Sequence, residues 1–183
     1  MANETTLAKR LVPLVGGLSL LLLVVVVFIC WYYPSHTTVV VLRHAEKDTS
    51  STQPDDLVPL NPDGVARAAT LSQVMERSGV TAIYVTEKLR TQQTADPLAT
   101  SRGITPTRIN KANTDDLIND VLAARNRGGV IVIIGHNDTV PDIVDRLGGG
   151  AVTVGEQFDN LFVLTLRRWG TTRIIQATYG APR

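Results

Sequence analysis

Cysteine is almost missing: Cys30 is the only one in 183 residues. That excludes a disulfide framework and any thiolate metal cluster. Aromatic residues are sparse at 5%, and neither sign of charge dominates, with 18 Lys/Arg against 17 Asp/Glu. A net charge of +1 leaves no basic footprint for nucleic acid, so no nucleic-acid partner is expected. Neither His-x-His nor His-Glu-x-x-His occurs, which argues against a metal hydrolase and leaves no metal or cofactor expected. The most telling gap is local, because no Asp, Glu, Lys or Arg lies between Arg10 and Arg43. What is present is apolar: hydrophobic residues make up 44% and charged residues 19%, too much core material for a disordered chain.

The charge gap divides the chain. Glu4, Lys9 and Arg10 carry all the charge before Pro34, so residues 34–183 hold 16 basic and 16 acidic residues. Residues 11–33 form an uncharged run centred on Leu20-Leu21-Leu22-Leu23-Val24-Val25-Val26-Val27 and closed by Trp31, Tyr32 and Tyr33. About 20 such residues suffice to cross a bilayer as a helix, and amphipathic rings suit its interface. A cleaved signal peptide fits less well. Its apolar stretch is shorter and ends in a small-x-small site, which Cys30-Trp31-Tyr32-Tyr33 does not provide. The expectation is a cytoplasmic segment 1–10, a single transmembrane helix 11–33 and a domain 34–183. Lys9 and Arg10 flank the inner end, so positive-inside logic places that domain outside the cytoplasmic membrane.

Within the domain, Thr37-Thr38-Val39-Val40-Val41-Leu42 and Val130-Ile131-Val132-Ile133-Ile134 read as strands buried on both faces. Thr81-Ala82-Ile83-Tyr84-Val85 is a third. Asn61-Pro62 marks a helix start leading through Val65, Ala68, Leu71 and Met75 towards Gly79. Thr114 with Asp115 and Asp116 opens a second helix, ended by Gly128-Gly129. Helical stretches are also expected after Arg90 and after Pro141, and 161–166 and 172–178 read as two closing strands. This alternation predicts an α/β fold: a three-layer sandwich whose mostly parallel central sheet is flanked by helices.

Two of the three histidines, His44 and His136, directly follow the two strongest strands. Ligand sites of open α/β sheets lie at those carboxyl ends. Arg43 adjoins the first histidine, and Arg90 stands at an expected helix start, a natural anion seat. Two imidazoles and two guanidiniums suit a phosphoryl group, whose charge spreads over three equatorial oxygens. Arg43, Arg90 and a protonated His136 would hold those oxygens. Neutral His44 would attack phosphorus, its pKa pushed down by the neighbouring arginines.

Arg43-His44-Ala45-Glu46 resembles the Arg-His-Gly signature of the histidine phosphatase superfamily, the phosphoglycerate-mutase-like group, with Ala45 replacing the usual glycine. Leu60 to Ala68 resembles its Leu-x-x-x-Gly-x-x-x-Ala block, and Thr86 to Ala95 its Ser-x-x-x-Arg-x-x-x-Thr-Ala block with Thr86 in the serine place. Gly135-His136 resembles the second-histidine motif. The resemblance implies a metal-independent phosphatase that forms a phosphohistidine on His44, with Arg43, Arg90 and His136 as the phosphate pocket. Glu46, Lys47 and Arg67 read more simply as a solvated face or a helix salt bridge.

An alkoxide leaving group needs an acid, which later serves as a base towards water. Asp138, two residues past His136, is the nearest candidate; Asp115 and Asp116 are rivals, and Glu46 and Glu87 also adjoin pocket residues. A phosphohistidine or acyl phosphate would leave without one. With no long insertion after Arg90, the pocket should be shallow and wet, favouring hydrolysis over phosphoryl retention. A small phosphorylated molecule or a phosphorylated side chain would serve as substrate. A catalytically silent domain that binds phospho-ligands is the alternative, motivated by Ala45 and the unassigned acid.

Overall fold

The structure is a computed structural model describing residues 4–32, 36–125, 127–167 and 170–180, with the side chains of the first helix described over 15–30. The chain divides into two units, Met1–Ser35 and His36–Arg183. The first is a single helix, α1 (Glu4–Tyr32). At 1.5 Å per residue its 29 residues span about 43 Å. Every described side chain in it is exposed, Leu22 and Leu18 by two thirds. Among the described residues no helix is long and apolar enough to cross a membrane; the stretch with described side chains covers only 15–30. The side chains of Lys9, Arg10, Trp31, Tyr32 and Tyr33, on which the expected orientation rests, lie outside the described residues.

The second unit is an α/β sandwich with β1 (His36–Arg43), α2 (Pro62–Val74), β2 (Val80–Thr86), α3 (Leu89–Arg102), β3 (Thr107–Ile109), α4 (Thr114–Ala124), β4 (Val130–Gly135), α5 (Thr139–Val144), β5 (Asn160–Arg167) and β6 (Arg173–Thr178). The sheet order is β3-β2-β4-β1-β5-β6. The first four strands run parallel, while β5 and β6 pair antiparallel. The sheet is therefore mixed, its parallel half matching the helix crossovers and its last two strands closing as a hairpin.

Strand alternation sorts the core into two layers. Val39, Val41, Ile131 and Ile133 meet Leu117, Val121, Val140 and Ile143 of α4 and α5. Val40, Leu42, Val132 and Ile134 meet Leu71, Ala95 and Leu98 of α2 and α3. Both faces of β1 and β4 are thus covered, which is why their sequence is a continuous apolar run rather than an alternating one.

The expected helix starts hold where a side chain makes the cap. Asn61 accepts from Gly64 N–H at 2.8 Å ahead of Pro62. Helix α2 ends at Val74, earlier than Gly79, and α5 begins at Thr139 rather than after Pro141. Strand β3 was not expected; it is a three-residue edge with no apolar run.

Gly64 sets how closely α2 approaches the end of β1. A Cβ there would lie 2.2 Å from the Glu46 carbonyl oxygen, a backbone atom that cannot swing aside. Gly64→Ala is expected to lower unfolding stability by about 1–3 kcal/mol, read as a lower urea midpoint at unchanged m-value.

Candidate active site

The site follows from strand register. Arg43 pairs with Gly135 across β1 and β4, and Val85 pairs with Ile134 across β2 and β4. Three adjacent parallel strands therefore deliver His44, His136 and Thr86 to one edge of the sheet. His44 N–H donates to Gly135 C=O at 2.9 Å, locking the two histidine-bearing turns together. The imidazole centroids lie 5.2 Å apart in an edge-on arrangement, close enough to share one tetrahedral anion.

His44 is held as a specific tautomer. Its Nδ1 lies 2.7 Å from the Ala45 carbonyl oxygen, so Nδ1 carries the proton and Nε2 the lone pair. Nε2 accepts from Arg90 Nε at 3.2 Å. Burial is the main reason its pKa falls to about 4; Arg90, Arg43 and Lys47 add to it. The expected depression is present, but desolvation outweighs the arginines as its cause.

His136 N–H donates to Thr139 Oγ1 at 2.9 Å, and its Nε2 lies 3.0 Å from Thr86 Oγ1. The same Thr139 oxygen would sit 2.8 Å from a Cβ on Gly135, which accounts for glycine before the histidine. Burial lowers the His136 pKa to about 3, with His44 and Arg90 contributing. Burial thus favours the neutral imidazole at pH 7 over the expected imidazolium.

These depressed values fix a pH dependence. Between pH 6.5 and 4 the unfolded chain binds protons that the folded chain does not, so unfolding free energy falls as pH is lowered through that window. The contribution is fully present above pH 6.5 and disappears as pH drops through about 4 for His44 and about 3 for His136. Urea melts at pH 7 and pH 4.5 should show a larger loss for wild type than for a His44→Asn/His136→Asn double variant; equal losses would contradict it.

The guanidiniums are buried as well. Arg90 opens α3, and its Nη1 donates to Asp55 C=O at 2.7 Å. Arg43 donates from Nη1 to the carbonyls of Gly155 and Gln157 at 3.1 and 3.4 Å. Its guanidinium lies 4.0 Å from the Phe158 ring centroid, while its buried Nε has no partner. Burial lowers the Arg43 pKa despite the opposing Glu156 charge. The Phe158 ring in turn stands 5.9 Å from His44. The pocket is accordingly not the open, wet depression expected: the 155–158 loop and the turn at Asp55 reach over it, and Arg43, His44, Arg90 and His136 are all buried.

Of the carboxylates, Asp138 is more than half exposed and pairs with Lys111 at 2.7 Å. Burial works upward on it, but Lys111 prevails and holds it below the ordinary carboxylate range. Asp138 also makes no side-chain cap on α5. Asp115 pairs with Arg146, Asp116 accepts from Asn113, and Glu87 accepts from Lys111 N–H, all on exposed ground. Glu46 and Arg67 correct the solvated reading: Arg67 Nε and Nη2 embrace the carboxylate at 2.8–3.0 Å, both residues buried.

Residues that sequence reasoning passed over are Asp55, Lys88 and Phe158. The two acidic residues after Pro54 and a lone loop phenylalanine carried no pattern that could have pointed to them. Among the described residues no cluster of three or more His, Cys, Asp or Glu could hold a metal ion.

The family model "Histidine phosphatase superfamily (branch 1)" matches residues 39–112, a span that includes Arg43, His44 and Arg90 but stops before His136. The protein histidine phosphatase SixA, solved with tungstate, superposes with a TM-score of 0.65 at 16% identity, covering 78% of this chain and 97% of that one. The fold is that of the histidine phosphatases. SixA from Nakamurella superposes at 0.59 with 21% identity over 81% of this chain and 99% of its own. A mycobacterial glucosyl-3-phosphoglycerate phosphatase reaches 0.62 with 14% identity over 80% and 100%. No curated protein matches the sequence. These neighbours, all below 25% identical, show the fold, and the family model over 39–112 agrees with the expected histidine phosphatase resemblance. Ala45 in place of the usual glycine fits this backbone: among the described residues no non-glycine residue has positive φ, and Ala45 N–H is satisfied by Thr94 Oγ1 at 3.0 Å.

Proposed function

We propose that the chain is a metal-independent phosphatase acting through a phosphohistidine on His44, with Arg43, Arg90 and His136 binding the phosphoryl group. The observation that carries this is the His44 ring itself: Nδ1–H is spent on Ala45 C=O, leaving the Nε2 lone pair beside Arg90 and 5.2 Å (ring to ring) from His136. A phosphoryl oxygen arriving at Arg90 takes the Nε–H now shared with His44 and frees that lone pair. Nε2 then bonds to phosphorus as the bond to the leaving group breaks. Water later displaces the phosphoryl group from Nε2, returning neutral His44 and inorganic phosphate.

Asp138, the named acid candidate, is ionised and paired with Lys111, so it holds no proton to give at pH 7. This supports substrates whose leaving group departs unaided, such as a phosphorylated imidazole or an acyl phosphate, on a small molecule or a side chain. The structural neighbour SixA, a protein histidine phosphatase, is consistent with that class. Incubation with a 32P-labelled phosphoramidate and rapid quench should trap label in an acid-labile, base-stable bond. Absence of label together with anion binding but no turnover would select the silent phospho-ligand-binding reading instead.

The same proposal tethers the enzyme to a membrane through residues 11–33 as a single-pass anchor, with the domain on the extracytoplasmic side. It is supported by a run of Leu and Val side chains, 15–30, that the protein leaves bare; lipid is the solvent in which such a surface is stable. Tethering concentrates the enzyme near membrane-surface substrates. Protease added to intact cells should remove the domain; digestion only after lysis would overturn this placement.

A further inference from the structure

The anion seat is already occupied by a carboxylate of the chain. Asp55, at the start of the 3-10 turn Asp55–Leu57, presents its main-chain oxygen to Arg90 Nη1 at 2.7 Å, with Oδ1 3.3 Å from that nitrogen. Its Oδ2 lies 3.3 Å from Arg90 Nη2 and 3.1 Å from Lys88 Nζ. The neighbouring Asp56 pairs with Lys88. Arg90 therefore has Nε on the nucleophile and both terminal nitrogens on Asp55. We propose that Asp55 is a displaceable counter-ion for Arg90, which sets a low affinity for inorganic phosphate and so favours release of that product.

Three features argue for displacement rather than permanent pairing. The Asp55 carboxylate is more than half exposed, so it can turn outward into water without leaving a buried charge behind. Its main-chain carbonyl keeps one bond to Arg90 when the carboxylate leaves, so the guanidinium does not lose its alignment. Lys88, held by both Asp55 and Asp56, offers a second cation to receive it. The group is also no general acid, because Lys88 and Arg90 hold its pKa down to about 2. It is a fixed negative charge at neutral pH, and a phosphate dianion must compete with it. Repulsion between a dianion and a carboxylate roughly 6 Å apart in water-like surroundings corresponds to about a tenfold change in a binding constant.

This rests on Arg90 belonging to the phosphate pocket, and binding of inorganic phosphate separates the two ideas without requiring turnover. Calorimetric titration of the full-length protein with inorganic phosphate should give a Kd about tenfold tighter for Asp55→Asn than for wild type. Asp55→Ser should move in the same direction, and Asp56→Asn should stay within about threefold of wild type. Wild type that binds phosphate while Asp55→Asn and Asp55→Ser bind it equally or more weakly overturns the counter-ion role alone, since Asp55 would then merely orient Arg90. Absence of phosphate binding by wild type, Asp55→Asn and Asp55→Ser alike removes both this inference and the proposed pocket.

Discussion

Replacing His44 with alanine should reduce turnover of p-nitrophenyl phosphate by roughly 10⁴-fold or more, the scale seen when a covalent nucleophile is removed. The loss belongs in kcat. Arg43, Arg90 and His136, the proposed phosphate pocket, remain in place, and removing the imidazole frees the Arg90 Nε–H that now points at His44 Nε2. Binding of inorganic phosphate should accordingly persist, and trapping of 32P on the protein should vanish. His136→Ala should be milder, about 10²–10³-fold, because it removes one donor from around the transferred group and leaves the nucleophile in place. The pH profile supplies an independent check. With a His44 pKa near 4, the nucleophile is neutral throughout the physiological range, so no loss of activity is expected from its protonation until pH falls towards 4. An alanine variant within tenfold of wild type would remove His44 from the reaction.

The candidate site was legible because rare residues fell at strand ends. His44 and His136 follow β1 and β4, and those strands announce themselves by continuous β-branched runs that only a sheet covered on both faces demands. Asn61-Pro62 was readable for a related reason: a cap and a pre-set φ are local, and the structure uses both as the sequence implies. What could not be read depends on contacts distant in sequence or weak in pattern. Strand β3 has three residues, none of them buried, and is recruited by the edge of β2 rather than by its own composition. Asp55 looks like ordinary loop polarity until Arg90, 35 residues later, folds against it. Asp138 is close to His136 along the chain, and its half-exposed carboxylate pairs with Lys111 at 2.7 Å, a contact the sequence carried no pattern for. The open pocket inferred from the lack of an insertion after Arg90 differs for another reason, since the 155–158 loop, distant in sequence, packs its carbonyls against Arg43.

Arg67→Ala is expected to destabilise the domain by about 3–5 kcal/mol, the scale of breaking a buried pair by removing one partner. The Glu46 carboxylate is 2% exposed and receives three contacts from Arg67 nitrogens at 2.8–3.0 Å. Taking the guanidinium away removes three contacts that offset the burial of this charge, where water has little access. It also deletes the Nη1 bond to Tyr179 C=O at 2.8 Å, which ties α2 to the residue just beyond β6. Glu46→Ala should cost less, because Arg67 keeps the Tyr179 carbonyl as an acceptor. Against a typical total of 5–15 kcal/mol, the arginine variant would lose a large share of its stability. Urea denaturation at pH 7 measures it, and a Glu46→Leu/Arg67→Met double variant distinguishes the cause. If the penalty is an uncompensated buried charge, replacing both partners by apolar side chains should recover most of it; a double variant as unstable as Arg67→Ala would mean that the shape of the pair, not its charge, holds α2 against the turn that positions His44.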